Sequence, residues 1–335
     1  MSEPLLFALR RSETLGARVA EAAGLALAPH EEREFEDGEH KSRPLVSVRG
    51  HDCYVLHGLY GEPGASANDK LCRLLFFCAA LRENGAARVT ALTPYLCYAR
   101  KDRRTKPRDP VTTRYVAQMV EAAGIDRIVT VDVHNPAAYE NAFRIESVEL
   151  TARPLFGLHL LARFAGRPLA VVSPDAGGAK RAEALRAWLA ARLDAPVPLA
   201  FLEKKRSEGR VSGEAVVGEV EGRVAVVIDD LVSSGTTLAR AAAALRRRGA
   251  AAVVACVTHG LFAEGAEDRL AGAGFAAFLV TDTVPPFRLA PAFAERRLTV
   301  LSVAPLLGAA VRRLAGGGSL LELREAGPPP PPVAT

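Results

Sequence analysis

The run VVIDDLVSSGTTL, Val226–Leu238, decides how this chain is read. An apolar stretch ends in two carboxylates, Asp229 and Asp230, and four small hydroxyl residues then flank one glycine, Gly235. The continuous apolar residues of Arg223–Ile228 predict a buried strand. Thr237–Arg248 predicts a helix with Gly249 as its stop. The segment between them delivers the chain into a helix N-terminus. Backbone N–H groups there lack partners and the helix dipole is positive, so an anion is favoured. Gly235 lets a ligand approach the backbone, while Ser233, Ser234, Thr236 and Thr237 add hydroxyl donors. A phosphate monoester fits such a cradle. The loop contains neither GxxxxGK[ST] nor GxGxxG, so it is not a Walker loop or a dinucleotide fingerprint. Carboxylates so close would repel a phosphate unless they accept hydrogen bonds from sugar hydroxyls or help to hold a cation. The loop therefore reads as a site for a phosphorylated sugar, with its hydroxyls at Asp229 and Asp230. The plainer alternative, that Asp230 and Ser234 only cap turns, accounts for one acidic residue but not for the doublet with its hydroxyl–glycine loop.

The same grammar runs outward from this stretch. RVTAL (Arg88–Leu92), RIVTVDV (Arg127–Val133), PLAVVS (Pro168–Ser173) and AVVACVT (Ala252–Thr258) read as buried strands. Asn68–Asn84 reads as a helix with Leu71, Leu74, Leu75, Cys78 and Leu81 on one face and Gly85 at its stop. Thr112–Ala123 is a second helix, preceded by Pro110 and ended by Gly124. Alternating strand and helix give an α/β fold with parallel sheets. LRENGAARVTALT from Leu81 echoes LRRRGAAAVVACVT from Leu245. Either this is the shared grammar of helix–glycine–strand joints, or a domain is duplicated. In a duplication, Cys53–Leu56 takes the place of Val224–Ile228, and HGLYGEPGASAN stands where the second copy has DDLVSSGTT. Only the second copy carries the acidic pair, which points to different ligands in the two halves.

The 335 residues, 49% of them hydrophobic, suit two domains. No stretch approaches the about 18 consecutive apolar residues of a membrane span. MSEPLLFALRRSETLG lacks the charged leader and long apolar core of a secretory signal. Five scattered cysteines without a CxxC pair argue against disulfides and zinc, and fit a reducing cytoplasm. The net charge of +5 fits either nucleic acid or small anionic substrates. The densest basic segment, Ala99–Arg114, has no interleaved aromatic residues for stacking bases, so small anions are the better reading.

IDDLVSSGTTL resembles the phosphoribosyl diphosphate loop of the type I phosphoribosyltransferase fold. FEDGE (Phe35–Glu39), SVRGHD (Ser47–Asp52), TPYLCYARKDRR (Thr93–Arg104), VDVH (Val131–His134), SPDAGGAKRA (Ser173–Ala182) and EKKR (Glu203–Arg206) occur in the chain in that order. With the loop, they resemble the successive motifs of the ribose-phosphate diphosphokinase (phosphoribosyl-diphosphate synthetase) family over roughly residues 5–315. The resemblance implies two similar domains of the type I phosphoribosyltransferase fold, each a mainly parallel sheet flanked by helices. The expected boundaries are 1–148 on the ATP side, 149–300 on the ribose 5-phosphate side, 301–325 returning to the first domain, and a disordered proline-rich tail at 326–335.

The resemblance further implies that ATP donates its β,γ-diphosphoryl group to the 1-hydroxyl of ribose 5-phosphate, in nucleotide biosynthesis. It assigns Arg100, Lys101, Asp37, Gly38 and Glu39 to ATP, the last three from a neighbouring subunit. His134 and Asp175 are assigned to Mg2+, with Asp132 in support. Lys204 and Arg206 are the expected catalytic cations, and Arg206 also joins Asp229, Asp230, Ser233, Ser234, Gly235, Thr236 and Thr237 around ribose 5-phosphate. Pro107 and Pro110 fit a lid over the triphosphate, and SEGRVSGE fits a loop that closes in turnover. The expected protein is cytoplasmic and a homo-oligomer built from dimers, a hexamer among the family's forms, with the active site between the domains. It binds no nucleic acid and no membrane. The chain departs from the family at Lys101, commonly glutamine, at Ser233, commonly aspartate, and at Thr236, commonly glycine. Two rival readings are a phosphoribosyltransferase that consumes the product and a non-catalytic regulatory homologue.

Overall fold

The computed structural model describes residues 3–207 and 210–327, without the side chains of residues 204–214. The proline-rich tail lies outside the described residues from position 328 onward. Contacts divide the chain into two compact units, Met1–Thr151 with Val303–Thr335, and Ala152–Ser302.

The first unit opens with β1 (Leu5–Ala8), α1 (Glu13–Ala23), and a hairpin of β2 (His30–Glu34) and β3 (His40–Pro44). It continues through β4 (Asp52–Leu56), α2 (Ala67–Glu83), β5 (Arg88–Thr93), α3 (Thr112–Ala122), β6 (Arg127–Val131), α4 (Pro136–Ala142) and β7 (Glu146–Leu150). The sheet order is β1-β4-β5-β6-β7, parallel throughout, and β2–β3 pair antiparallel on their own. Apolar runs such as Cys53–Leu56 form these strands because both faces of the sheet are covered. The expected face of α2 is buried, with Phe77 added to it. β6 stops at Val131, two residues short of the predicted run, because Asp132 turns to φ 41°.

The second unit contains α5 (Arg153–Arg163), β8 (Leu169–Ser173), α6 (Ala179–Leu193), β9 (Leu199–Ser207), β10 (Arg210–Val217) and β11 (Val224–Val232). There follow α7 (Thr236–Arg247), β12 (Ala252–Gly260), α8 (Ala266–Ala271), β13 (Ala277–Thr281), α9 (Pro291–Arg297) and β14 (Leu298–Leu301). The strand order is β10-β9-β8-β11-β12-β13-β14, parallel except between β9 and β10. Its five parallel strands β8-β11-β12-β13-β14 repeat the order of the first unit. In both units two extra strands are inserted after the first, as a separate hairpin in one and as a sheet extension in the other. The echo seen in sequence is therefore a repeated topology.

β11 runs past the predicted Ile228 to Val232, so the acidic pair lies within a strand. Pairing with β12 continues at Asp229↔Val257, Leu231↔His259 and Val232↔Gly260, which keeps the backbone extended after the apolar run ends. The apolar segment Leu298–Leu314 also divides. Leu298–Leu301 pairs with Phe278–Thr281 as β14 of the second unit. α10 (Ala304–Gly316) belongs to the first unit and packs on α1. The two helices approach backbone to backbone at Gly308, where a Cβ would stand 2.6 Å from Ala22 Cβ and 2.7 Å from its carbonyl carbon. α11 (Leu321–Ala326) follows, and Arg324 Nη2 lies 4.0 Å from Glu149 Oε2. No helix among the described residues is long and apolar enough to cross a membrane, and all five cysteines are free.

Candidate active site

β11 and α7 hold the loop Ser233–Gly235 at the carboxyl end of the second sheet, where open α/β sheets receive ligands. Gly235 sits at φ 74° immediately before α7, a conformation that a Cβ would strain. The amides of Ser233, Ser234, Gly235 and Thr237 donate to no acceptor among the described residues. The amide of Thr236 reaches only Ser234 Oγ, at 3.5 Å. Ser234 Oγ and Thr236 Oγ1 lie 3.1 Å apart, so the Thr236 hydroxyl is held by its neighbour. Successive N–H groups without acceptors among the described residues, at the positive end of a twelve-residue helix, can bind a phosphate dianion.

The equivalent joint of the first unit cannot. At the start of α2, Ser66 Oγ accepts from the Asp69 amide at 3.2 Å, and the Asp69 carboxylate accepts from the Ser66 amide at 2.7 Å. This reciprocal cap supplies acceptors to those amides internally and adds a negative charge. The sequence difference between the copies thus becomes one open helix end and one closed one.

The acidic pair is electrostatically loaded. Asp230 is buried, whereas the Asp229 side chain retains 22% exposure. Burial, followed by the neighbouring Asp230 charge, pushes Asp229 up to about 7, well above the ordinary carboxylate range. Arg181 opposes that rise, its Nη1 lying 3.2 Å from Asp230 Oδ1 and 3.8 Å from Asp229 Oδ1. Arg181 stands in the first turns of α6, within the SPDAGGAKRA motif, and the sequence reading did not single it out. The signal available was a cation eight residues after β8, whose position beside β11 only the fold reveals. Asp175 lies in the exposed turn between β8 and α6, where its Oδ1 caps the amides of Gly177 and Gly178 at 2.9 and 3.1 Å.

The remaining predicted groups stand in the first unit. His134 is exposed in the turn after β6. The Glu149 carboxylate supports this turn by accepting from the Val133 amide at 3.0 Å. Arg100 and Lys101 begin the basic segment after β5, and Asn135 Nδ2 joins that segment to the His134 turn by donating to Asp102 Oδ2 at 2.7 Å. Lys101 Nζ donates to Asp109 Oδ2 at 2.7 Å, and the same oxygen accepts from the amides of Thr105 and Lys106. These donors hold the Asp109 carboxyl well below its usual range, with Lys101 the largest cause. Asp37, Gly38 and Glu39 form the exposed tip between β2 and β3, where the Glu39 amide donates to Asp37 Oδ1 at 3.0 Å. Among the described residues no bond joins that tip to Arg100 or Lys101. Lys204 and Arg206 belong to β9 by backbone, and their side chains lie outside the described ones. Among the described residues no three His, Cys, Asp or Glu side chains converge as a metal centre.

Comparison with known proteins bears on this arrangement. The family profile for the N-terminal domain of ribose phosphate pyrophosphokinase matches residues 5–124, and that of the phosphoribosyl synthetase-associated domain matches residues 196–324. A ribose-phosphate pyrophosphokinase of Caldanaerobacter subterraneus subsp. tengcongensis is 35% identical over 95% of this chain and 96% of that protein. One from Granulibacter bethesdensis is 37% identical over 95% of this chain and 99% of its own. The crystal structure of phosphoribosylpyrophosphate synthetase from Mycobacterium smegmatis superposes with a TM-score of 0.83 at 34% identity. It covers 95% of this chain and 100% of that one.

Proposed function

The chain belongs to the ribose-phosphate pyrophosphokinase family, and from that premise we propose how its own residues carry the reaction. The enzyme transfers the β,γ-diphosphoryl group of ATP to the 1-hydroxyl of ribose 5-phosphate, giving 5-phosphoribosyl 1-diphosphate and AMP. The amides of Ser233–Thr237 hold the 5-phosphate, and Asp229 accepts from the ring hydroxyls. Asp230 keeps Arg181 beside that carboxylate. Arg100, Lys101 and the tip Asp37–Glu39 are assigned to ATP, Lys204 to the charge that develops on the transferred phosphoryl, and Arg206 to the sugar phosphate. The single observation that supports the sugar half is the set of amides ahead of α7, those of Ser233, Ser234, Gly235 and Thr237, that donate to no acceptor among the described residues.

A carboxylate such as Asp175 suits a hard divalent cation that keeps most of its waters and rides on substrate phosphates. Asp175 has only one carboxylate oxygen engaged by the backbone, and His134 stands exposed at its strand end. These are the groups proposed for Mg2+, the imidazole through water. When bound, Mg2+ neutralises charge on the diphosphoryl oxygens. Catalysis otherwise rests on positioning and fixed charge. The same proposal includes a cytoplasmic homo-oligomer built from dimers.

Incubation with ATP, Mg2+ and ribose 5-phosphate is expected to release AMP in step with the diphosphate sugar. The Lys204→Ala variant is expected to lose about two to four orders of magnitude in kcat while keeping the wild-type circular dichroism spectrum. Wild-type turnover in that variant would remove Lys204 from its role. Release of diphosphate from 5-phosphoribosyl 1-diphosphate on adding a nucleobase would favour the phosphoribosyltransferase reading instead.

A further inference from the structure

The amides of the phosphate loop face outward because something holds the carbonyls of the same peptides from behind. The carbonyl of Val232 accepts from the amides of Leu261 and Phe262 at 2.9 and 3.2 Å. The carbonyl of Ser233 accepts from the Ala263 amide at 3.0 Å. The carbonyl of Ser234 accepts from Arg269 Nη1 at 3.2 Å. In a planar trans peptide the C=O and the following N–H point in opposite directions. Three carbonyls drawn to the rear therefore turn the amides of Ser233, Ser234 and Gly235 to the front as a set.

The rear element is itself secured. Arg288 Nη1 donates to the Leu261 carbonyl at 2.7 Å, and Phe262 is buried at φ 42°. Upstream, His259 Nδ1 lies 2.8 Å from Thr283 Oγ1, which donates to the Thr258 carbonyl at 3.1 Å. Thr281 Oγ1 donates to the same carbonyl. These bonds tie the end of β12, and with it the turn Leu261–Ala263, to the segment after β13.

We propose that the turn Leu261–Ala263 and Arg269 form a bracket that pre-sets the loop for a phosphate monoester, with Arg269 as a positioning residue for ribose 5-phosphate. The inference rests on the loop's assignment to the sugar phosphate and adds what orients it. Of the three rear anchors only Arg269 acts through a side chain, so it is the one that substitution can remove. Its charge behind the Ser234 carbonyl also polarises that peptide, which makes the Gly235 N–H a stronger donor. Arg269 is exposed, so its loss leaves no cavity.

The test compares Arg269→Ala, Arg269→Lys and, as a control on the loop, Gly235→Ala, by steady-state kinetics with each substrate varied. Arg269→Ala is expected to raise KM for ribose 5-phosphate about five- to tenfold, as loss of one ordinary net hydrogen bond at an exposed position implies. Its kcat, KM for ATP and thermal midpoint should stay close to wild type, and Arg269→Lys should recover most of the loss. A wild-type KM for ribose 5-phosphate in Arg269→Ala, with Gly235→Ala impaired, would overturn the bracket alone. A wild-type KM in Gly235→Ala would overturn the loop assignment beneath it. A fall in every parameter together with the thermal midpoint would make Arg269 a folding residue and overturn the proposal.

Discussion

Replacing Asp229 with Asn should stabilise the protein, and increasingly so as pH rises. Burial and the Asp230 charge raise this carboxyl from 3.8 to about 7 in the fold. A group with a raised folded pKa binds its proton more tightly folded than unfolded. Its contribution to stability is full below about pH 3.8 and is lost as pH rises through about 7. Between pH 5 and pH 8 about two pKa units of that difference are lost, at about 1.4 kcal/mol per unit, or on the order of 2–3 kcal/mol. Asparagine does not ionise and escapes the decline. The attraction of Arg181, 3.8 Å away, for the ionised carboxylate is already contained in the value of about 7, and the altered acceptor for the Asp230 amide costs the same at either pH. The variant's stability relative to wild type should therefore grow by about 2–3 kcal/mol from pH 5 to pH 8. Urea unfolding followed by circular dichroism, without substrate or divalent metal, measures both proteins at both values. A difference that stays constant with pH would refute the reasoning, because no pH-dependent strain would then reside at Asp229. The same variant should lose affinity for ribose 5-phosphate, since a site that strains its own carboxylate keeps it for a ligand.

Two further outcomes are expected from the first unit. Lys70 is fully buried in α2, its Nζ 2.6 Å from Glu62 Oε1 and 3.7 Å from the centre of the Tyr60 ring, so Lys70→Ala leaves a largely buried carboxylate to the more distant Arg11, whose Nη1 is 3.9 Å away. It should cost about 3–5 kcal/mol in urea unfolding, and Lys70→Met with Glu62→Leu should cost much less. A loss of under about 1 kcal/mol in Lys70→Ala would show that the pair stabilises little. Asp109→Ala should free Lys101 and the amides of Thr105 and Lys106, so that trypsin cuts between Arg100 and Arg108 faster than in wild type while the thermal midpoint holds. Unchanged cleavage would mean that Asp109 does not order the basic segment.

The residues that made the site legible are those whose signals are local. Val224–Ile228 announces a buried strand, Gly249 a helix stop, and Ser233–Thr237 the open end between them. The features that escaped are set by partners distant in sequence. Nothing in DDLV says that the strand continues; β12 decides it by offering hydrogen bonds as far as Gly260. The apolar segment Leu298–Leu314 looks uniform, yet β13 takes its first residues and α1 takes those after Val303. HEERE and HKSRP have too little apolar alternation to announce β2 and β3, which pair through backbone and cross-strand charge such as Arg43–Glu31. Arg181 was hidden because α6 brings it to carboxylates about fifty residues away, and the rear anchors of the loop because hydrogen bonds to carbonyls leave no mark on residue type.

The packing of α10 on α1 has a bearing on synthesis. The second unit is one unbroken stretch, whereas the first needs residues from both sides of it. As the chain leaves the ribosome, everything required for the second sheet has emerged before α10 exists. The face of α1 at Ala22 and Ala23 must wait, apolar and uncovered, until Gly308 arrives against it. Fragments ending before residue 303 should accordingly be the species that chaperones retain and proteases clear, even though every residue implicated in chemistry has already been made.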